Sequence, residues 1–311
     1  MKRLLVIGTL LACAVVAASI APSSSRSSTK ADCSLARTGL VPLTDMGNRR
    51  YRGHRGGLYP AGVNRPPVKY LRRGITASKR IRPIDGKIVL LSIGMSNASD
   101  EFAAFKRSAD RDPQKNSSLV VVDGAQDGFD SRRARQPIFW ETIDERLSEA
   151  DATPAQVQAV WLKQSVAGEQ RPFPRDARGL QSDLRAILRI MRARYPNVKL
   201  VYLSSRTYGG YAITGLNPEP AAYDSAYAVR GIIQERIRGQ IKGPLLFWGP
   251  YLWTDGQAGR NDGLVWNCED VEEDGTHPSR SGIQKVVTML TTFFKTDPTT
   301  RRWYVARPLA P

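Results

Sequence analysis

The chain has 311 residues and a formal net charge of +17, with 46 Lys and Arg against 29 Asp and Glu. Its length fits one large domain or two modest ones. Without zinc-ligand spacing, an RNA-binding aromatic signature or a helix-turn-helix pattern, the composition argues against a nucleic-acid-binding protein. The arginines are spread along the chain, so the charge either attracts a polyanionic surface or belongs to an arginine-biased, solvated exterior.

Residues 1–21 have the layout of a secretory signal peptide: two basic residues, an apolar run and then small residues. Cleavage after Ala18 or Ala21 fits the small-residue rule. The mature chain would then be secreted or periplasmic, with no stable insertion in the membrane. An uncleaved membrane anchor and a lipoprotein attached through Cys13 are the alternatives.

Two cysteines remain after cleavage, Cys33 and Cys268. Export to an oxidising compartment favours a disulfide between them, and two separate buried thiols are the alternative. Residues 22–40 are rich in Ser, Ala and Thr and predict a flexible leader. Residues 41–86 are dense in Gly, Pro and Arg, and we expect an extension packed on the domain, an ordered loop region without long elements.

Residues 87–311 alternate between short apolar, β-branched runs and stretches with helical spacing. Near-continuous apolar runs of this length suit strands buried on both faces of a parallel sheet. The predicted strands are 87–93, 118–123, 157–163, 198–205 and 244–249. The predicted helices are 99–109, 137–150, 180–195, 223–241 and 279–295. This alternation predicts an α/β protein, a three-layer α/β/α sandwich with a five-stranded, mainly parallel sheet.

Ligand sites in such sheets form outside the carboxyl ends of the strands. After the first strand the chain reads "SIGMSN", which places Ser96 where strand turns into helix. Helix N-terminal amides point towards such a serine, so it suits a nucleophile whose product is an oxyanion. A helix-capping serine is the alternative.

The stretch "EEDGTHPSRSG" precedes the last helix and contains Asp274 and His277, one of only two histidines. A serine nucleophile needs a base, usually histidine, and the base needs an acceptor on its other nitrogen. These two residues could supply both. A helix N-terminus capped by Asp274 or Ser279 is the alternative.

The two middle loops carry weaker signals. Gly124 follows the second strand and could donate an oxyanion-hole amide, or it could only allow a tight turn. Lys163 and Gln164 end the third strand, and only one of them should enter the site because adjacent strand residues face opposite ways.

The order of four short motifs over residues 87–296 resembles the blocks of the SGNH (GDSL-like) hydrolase superfamily. The motifs are "GMSN", "DGAQDG", "WLKQS" and "DGTHP". Within that superfamily they look most like the carbohydrate esterase branch typified by sialate O-acetylesterases. The resemblance implies a serine esterase that needs no metal or organic cofactor. It implies Ser96 as nucleophile, His277 as general base and Asp274 as its orienter. The Ser96 and Gly124 amides would donate to the oxyanion.

The sequence departs from that branch at three positions: Met95 precedes the serine, Asp123 replaces an Asn, and Lys163 stands in register with the third donor. We therefore take the neighbouring Gln164 amide as that donor.

The resemblance implies an acylated glycan or a small ester as substrate. Asn97 is expected to contact this substrate. Tyr208, Tyr211 and Trp253 lie in two aromatic-rich loops that could form the walls of the site and stack on sugar rings, and packing over the sheet edge is the alternative. A catalytically impaired carbohydrate- or polyanion-binding protein and an O-acyltransferase with the same triad are the other hypotheses.

Overall fold

The computed structural model describes residues 30–168 and 170–306. The predicted signal peptide, the lipoprotein alternative at Cys13 and the first part of the predicted leader lie outside these residues. The strands are β1 (Arg50–Tyr51), β2 (His54–Arg55), β3 (Ile88–Gly94), β4 (Leu119–Val122), β5 (Val157–Lys163), β6 (Leu200–Ser204) and β7 (Leu245–Trp248). The helices are α1 (Val68–Ser78), α2 (Ser96–Asp110), α3 (Pro137–Glu149), α4 (Arg175–Arg194), α5 (Ala221–Ile237), α6 (Arg280–Thr296) and α7 (Arg301–Tyr304).

The central sheet has the order β4-β3-β5-β6-β7, and every neighbouring pair is parallel. The predicted five-stranded parallel sheet is confirmed, with strand ends within a few residues of the expected ones. The connection from β3 to β4 runs to one side of β3, whereas the connections from β4 to β5, β5 to β6 and β6 to β7 run in the opposite direction along the sheet. Because parallel crossovers are right-handed, α2 must lie on the opposite face from α3, α4 and α5.

This strand order places a switch point between β3 and β5, where the chain leaves the sheet in opposite directions. Crevices at such points, outside the carboxyl ends of the strands, are the usual ligand sites of open α/β sheets. All residues of β3 and β5 are buried, so the switch point rests on a rigid base. Helix α2 packs on α6, and α4 packs on α5.

The expectation that residues 41–86 lack long elements is wrong, because α1 occupies Val68–Ser78. Its buried face carries Tyr70, Gly74 and Ser78 at a spacing of four, of which two are small, so the apolar stripe is faint in the sequence. The Tyr70 hydroxyl donates to the Leu246 carbonyl at 3.1 Å. A Cβ at Gly74 would collide with the Phe247 ring, so the glycine allows α1 to lie directly against β7.

Cys33 and Cys268 form a disulfide, with their Cα atoms 5.5 Å apart. The adjoining N-terminal segment is hydrogen-bonded to the domain: the Asp32 amide donates to the Tyr211 carbonyl at 3.1 Å, and Asp255 accepts from the backbone and side chain of Thr38. Among the described residues, no helix is both long enough and apolar enough to cross a membrane.

Candidate active site

Ser96 begins α2 one residue after β3 ends. Met95 between them is extended, with φ −98° and ψ −171°, so the chain changes from strand to helix in a single step. Gly94 permits this turn, since a Cβ there would collide with Ala98 and come within 2.7 Å of the Lys163 carbonyl. Ser96 is partly exposed at the helix N-terminus, where backbone N–H groups have no intrahelical acceptor.

His277 lies on a loop held in place by its neighbours. Gly275 has φ +66° and is so close to the Tyr211 carbonyl that a Cβ would collide with it. The Ile213 amide donates to the Asp274 carbonyl at 3.2 Å, and the Glu272 amide donates to the His277 carbonyl at 2.8 Å. The loop is therefore built against the segment that follows β6.

The structure brings Ser96, His277 and Asp274 together. His277 Nε2 lies 2.8 Å from Ser96 Oγ, and His277 Nδ1 lies 2.6 Å from Asp274 Oδ2. Burial works against ionisation of Asp274, but the amides of His277 and Thr276 and the imidazole itself hold the pKa of this carboxyl below its ordinary value. An ionised carboxylate only accepts, so Nδ1 carries the proton and Nε2 is left to accept from the serine.

A cavity of about 370 Å³ opens beside this group. Its volume is in the range of small-molecule sites. Its lining residues come from the loops after β3, β4, β5 and β6 and from the His277 loop. They include Ser96, Asn97, Gly128, Phe129, Ser165, Arg206, Asn217, Thr276 and His277.

Asn97 lines the cavity, but its side chain is hydrogen-bonded within the protein. Its side-chain amide donates to the Thr276 carbonyl at 2.7 Å, and the residue is 2% exposed. This bond joins the start of α2 to the His277 loop. Asn97 therefore positions the serine and the histidine relative to each other.

Gly124 does not reach the cavity, contrary to the expectation from sequence. Its N–H donates to Ser92 Oγ at 2.9 Å, and Ser92 in turn donates to Asp123 at 2.5 Å. A Cβ at Gly124 would lie 2.6 Å from the Ser92 carbonyl. The glycine is thus required for packing against β3, and its amide is not available to an oxyanion.

The expectation for Gln164 fails for a related reason. The Gln164 side-chain amide donates to the Phe129 carbonyl at 3.2 Å, and the residue is not part of the cavity lining. Lys163 is fully buried, with Nζ 2.5 Å and 2.6 Å from the two carboxyl oxygens of Glu101 on α2. Burial lowers the pKa of Lys163 to about 8 and raises that of Glu101.

Two donors that the sequence did not single out do line the cavity. The Gly128 N–H has no acceptor among the described residues. Among the described residues, the Ser165 hydroxyl has a single hydrogen-bond partner, Met95 Sδ at 3.3 Å, and a thioether is a weak acceptor. The "DGAQDG" stretch contains both glycines, and of the two only Gly128 lines the cavity.

The three aromatic residues expected to stack on a sugar lie in the core. Tyr208, Tyr211 and Trp253 are 2%, 0% and 0% exposed. Their polar atoms donate to the Leu35 carbonyl, the Trp266 carbonyl and the Glu219 carboxyl. They support the loop on which the His277 segment rests.

Arg206 lies two residues past β6 and lines the same cavity while only 2% exposed. Its guanidinium makes no hydrogen bond to any described residue, and its Nε is fully enclosed. No group of three or more His, Cys, Asp or Glu suited to a metal ion occurs in residues 30–168 and 170–306.

No protein-family model and no curated protein matches the chain. Solved structures give weak matches. A Bacillus subtilis protein has a TM-score of 0.42 and 13% identity; the match covers 67% of this chain and 56% of that one, so the chain spans little more than half of its length.

A carbohydrate esterase family 3 protein from Talaromyces cellulolyticus has a TM-score of 0.40 and 14% identity, covering 65% of this chain and 94% of that one. The periplasmic domain of a lipopolysaccharide acetyltransferase from Salmonella ser. Paratyphi A has a TM-score of 0.38 and 15% identity, covering 72% and 92%. Matches of this size carry no argument about chemistry, so the functional conclusion depends on the side-chain geometry.

Proposed function

We propose that this chain is an exported serine esterase of the SGNH type, which hydrolyses carboxylic esters and takes O-acyl groups on a glycan as its leading substrate class. The observation that carries the proposal is the continuous series of hydrogen bonds from Asp274 through His277 to Ser96, at 2.6 Å and 2.8 Å. Nucleophile, base and orienter in this order are the arrangement that activates a serine hydroxyl.

In the acylation step, His277 Nε2 accepts the proton of Ser96 Oγ as the oxygen attacks the ester carbonyl carbon. Asp274 stabilises the imidazolium that forms. When the tetrahedral intermediate collapses, the bond to the alcohol oxygen breaks, and His277 gives that oxygen the proton. The acyl group is then covalently bound to Ser96.

In the deacylation step, water gives a proton to His277 Nε2 and its oxygen attacks the acyl carbon. Collapse breaks the bond to Ser96 Oγ, which regains the proton, and the carboxylic acid leaves. An O-acyltransferase would differ only in using an acceptor hydroxyl in place of water.

The oxyanion in both steps needs preorganised donors. We assign them to the Ser96 amide at the start of α2, the Gly128 amide and the Ser165 hydroxyl. All three residues line the cavity, and the Gly128 and Ser165 donors have no strong acceptor among the described residues. A Ser165→Ala variant tests the hydroxyl: kcat should fall by about 10²-fold with KM nearly unchanged.

Export and the glycan substrate have separate support. The Cys33–Cys268 disulfide is of the kind that persists in oxidising compartments, in agreement with the predicted signal peptide. The glycan is suggested by the resemblance of "GMSN" and "DGTHP" to a carbohydrate-esterase branch.

Turnover of 4-nitrophenyl acetate and of O-acetylated glycans tests the proposal. Ser96→Ala should lower kcat/KM by about 10⁴-fold, which is roughly 5 kcal/mol in activation free energy. Ser108→Ala is the matched control, since Ser108 is an exposed serine on the same helix. Equal turnover by the wild type and Ser96→Ala, or no turnover by either on any acylated substrate, contradicts an esterase. Product analysis with an added sugar acceptor separates hydrolysis from transfer.

A further inference from the structure

Arg206 has a position that the esterase chemistry above does not explain. Its backbone is fixed, because its amide donates to Ser225 Oγ at 3.1 Å. Its side chain is 2% exposed and lines the cavity beside Ser96 and His277. None of the five N–H donors of its guanidinium makes a hydrogen bond to a described residue.

Such a group costs free energy in the folded protein. A cation removed from water is stable only when acceptors replace its hydration shell, and buried polar groups in native proteins nearly always have partners. Burial lowers the pKa of Arg206, yet an arginine remains charged in proteins. A charged fork without acceptors beside a cavity therefore indicates that a bound molecule supplies them.

Three carboxyl groups whose charge acts on Arg206 are already hydrogen-bonded to other residues. Glu101, Glu219 and Asp274 attract Arg206 electrostatically. Glu101 is bound to a buried lysine, Asp274 is bound to His277, and Glu219 accepts from two backbone amides and an indole. None of the three is hydrogen-bonded to the guanidinium.

The exposed and partly exposed charged residues that line the cavity include both acidic and basic side chains. Asp127 and Arg133 are among them with Asp130, whose carboxyl accepts from the Arg133 amide at 2.9 Å and from the Ala167 amide at 3.2 Å. The carboxyl charge of Asp130 is thus satisfied locally. Arg206 supplies the positive charge at the buried wall of the cavity.

We infer that Arg206 binds a carboxylate carried by the substrate, so that the ester cleaved at Ser96 belongs to an acidic molecule. A carboxylate matches the guanidinium fork with two parallel hydrogen bonds. A cavity of about 370 Å³ has room for the ester group and the acid-bearing part together. This inference rests on the proposed esterase function, because it assigns the substrate class of the same site.

The test compares binding of 3-acetoxybenzoate with binding of its neutral analogue 3-acetoxybenzamide. Binding is measured by calorimetry on the Ser96→Ala protein, which cannot turn the esters over. The anion should bind about 10-fold to 100-fold more tightly than the amide, as expected for charge-assisted hydrogen bonds. Adding Arg206→Met should remove this preference, and Arg206→Lys should keep part of it.

Arg189→Met in the same background is the matched control, because Arg189 is exposed on α4 and lines a different cavity while its loss changes the net charge equally. The inference is overturned if the anion does not bind, if it binds no better than the amide, or if Arg206→Met weakens both ligands equally. Thermal unfolding shows whether each variant is folded, and Arg206→Gln replaces the methionine variant if that one is not. Since binding needs no turnover, these outcomes are independent of whether wild-type protein hydrolyses 4-nitrophenyl acetate.

Discussion

Two buried arginines in neighbouring parts of the chain have opposite surroundings. Arg230 on α5 is 8% exposed, its guanidinium donates to the three consecutive carbonyls of residues 55–57, and it lies over the Tyr227 ring at 4.6 Å. Arg206 is 2% exposed and has no acceptor among the described residues. At Arg230 the fold supplies three backbone acceptors to Nη1 and an aromatic ring, and these contacts hold the N-terminal extension to the domain. At the cavity the described residues supply no acceptor to the Arg206 guanidinium.

This difference in hydrogen-bond partners indicates that Arg230 stabilises the fold and that Arg206 binds a ligand. A side chain whose partners belong to the protein should be needed for folding, and one whose partners are missing should be dispensable for folding and needed for a ligand. Natural sites store such unfavourable groups at a cost in stability. Substitutions at the buried cations of this molecule can test that division.

The largest effect on stability is expected at Lys163, a third buried cation, whose only side-chain partner in residues 30–168 and 170–306 is Glu101. Lys163→Met leaves a fully buried carboxyl without its counter-charge and should lower the free energy of unfolding by about 3–5 kcal/mol. Urea denaturation followed by tryptophan fluorescence measures the loss. The double variant Glu101→Leu/Lys163→Met is the control and should recover most of it. A loss below about 1 kcal/mol in the single variant would show that this pair does not stabilise the fold.

A smaller loss is expected at Arg230. Arg230→Met removes the donor to three backbone carbonyls and the contact with Tyr227, and should cost about 2–3 kcal/mol. The same denaturation experiment measures it. Turnover at 25 °C should stay within a few-fold of wild type, since Arg230 does not line the cavity. A stable but inactive Arg230→Met protein would contradict the assignment of Arg230 to folding and of Arg206 to ligand binding.

The smallest effect on stability is expected at Arg206. Arg206→Met breaks no hydrogen bond to a described residue and removes an unpaired charge, so the free energy of unfolding should change by less than about 0.5 kcal/mol or increase slightly. The midpoint of urea unfolding at matched pH and salt is the measurement. A loss of 2 kcal/mol or more would place Arg206 with Arg230 as a stabilising residue.

The five-stranded parallel sheet could be predicted from the sequence because strands that are buried on both faces consist of continuous apolar runs. The sequence also pointed to Ser96, Asp274 and His277, because a serine at a strand-to-helix turn and a closely spaced Asp-His pair are local features. Helix α1 was missed because its buried stripe contains Gly74 and Ser78.

The remaining donors could not be predicted because they depend on the path of loops in three dimensions. Gly124 and Gly128 lie four residues apart in one loop. The Gly124 amide is hydrogen-bonded to Ser92 Oγ, and this contact between separate segments cannot be read from the sequence. Lys163 is paired with Glu101, 62 residues away in sequence, and Ser165, two residues further along the chain, lines the cavity. Arg206 left no signal, since a buried arginine without partners has no sequence pattern.

Ser96 and His277, the proposed nucleophile and base, are separated by 181 residues, and the hydrogen bond between them joins the first helix after β3 to the loop before α6. A chain synthesised from its N-terminus therefore contains its serine long before its histidine. Until the loop that carries His277 has folded onto the sheet, Ser96 lacks its proposed base, and we expect the growing polypeptide to show no esterase activity. Esterase activity would then appear as the final event of maturation, which makes it a direct reporter of completed folding.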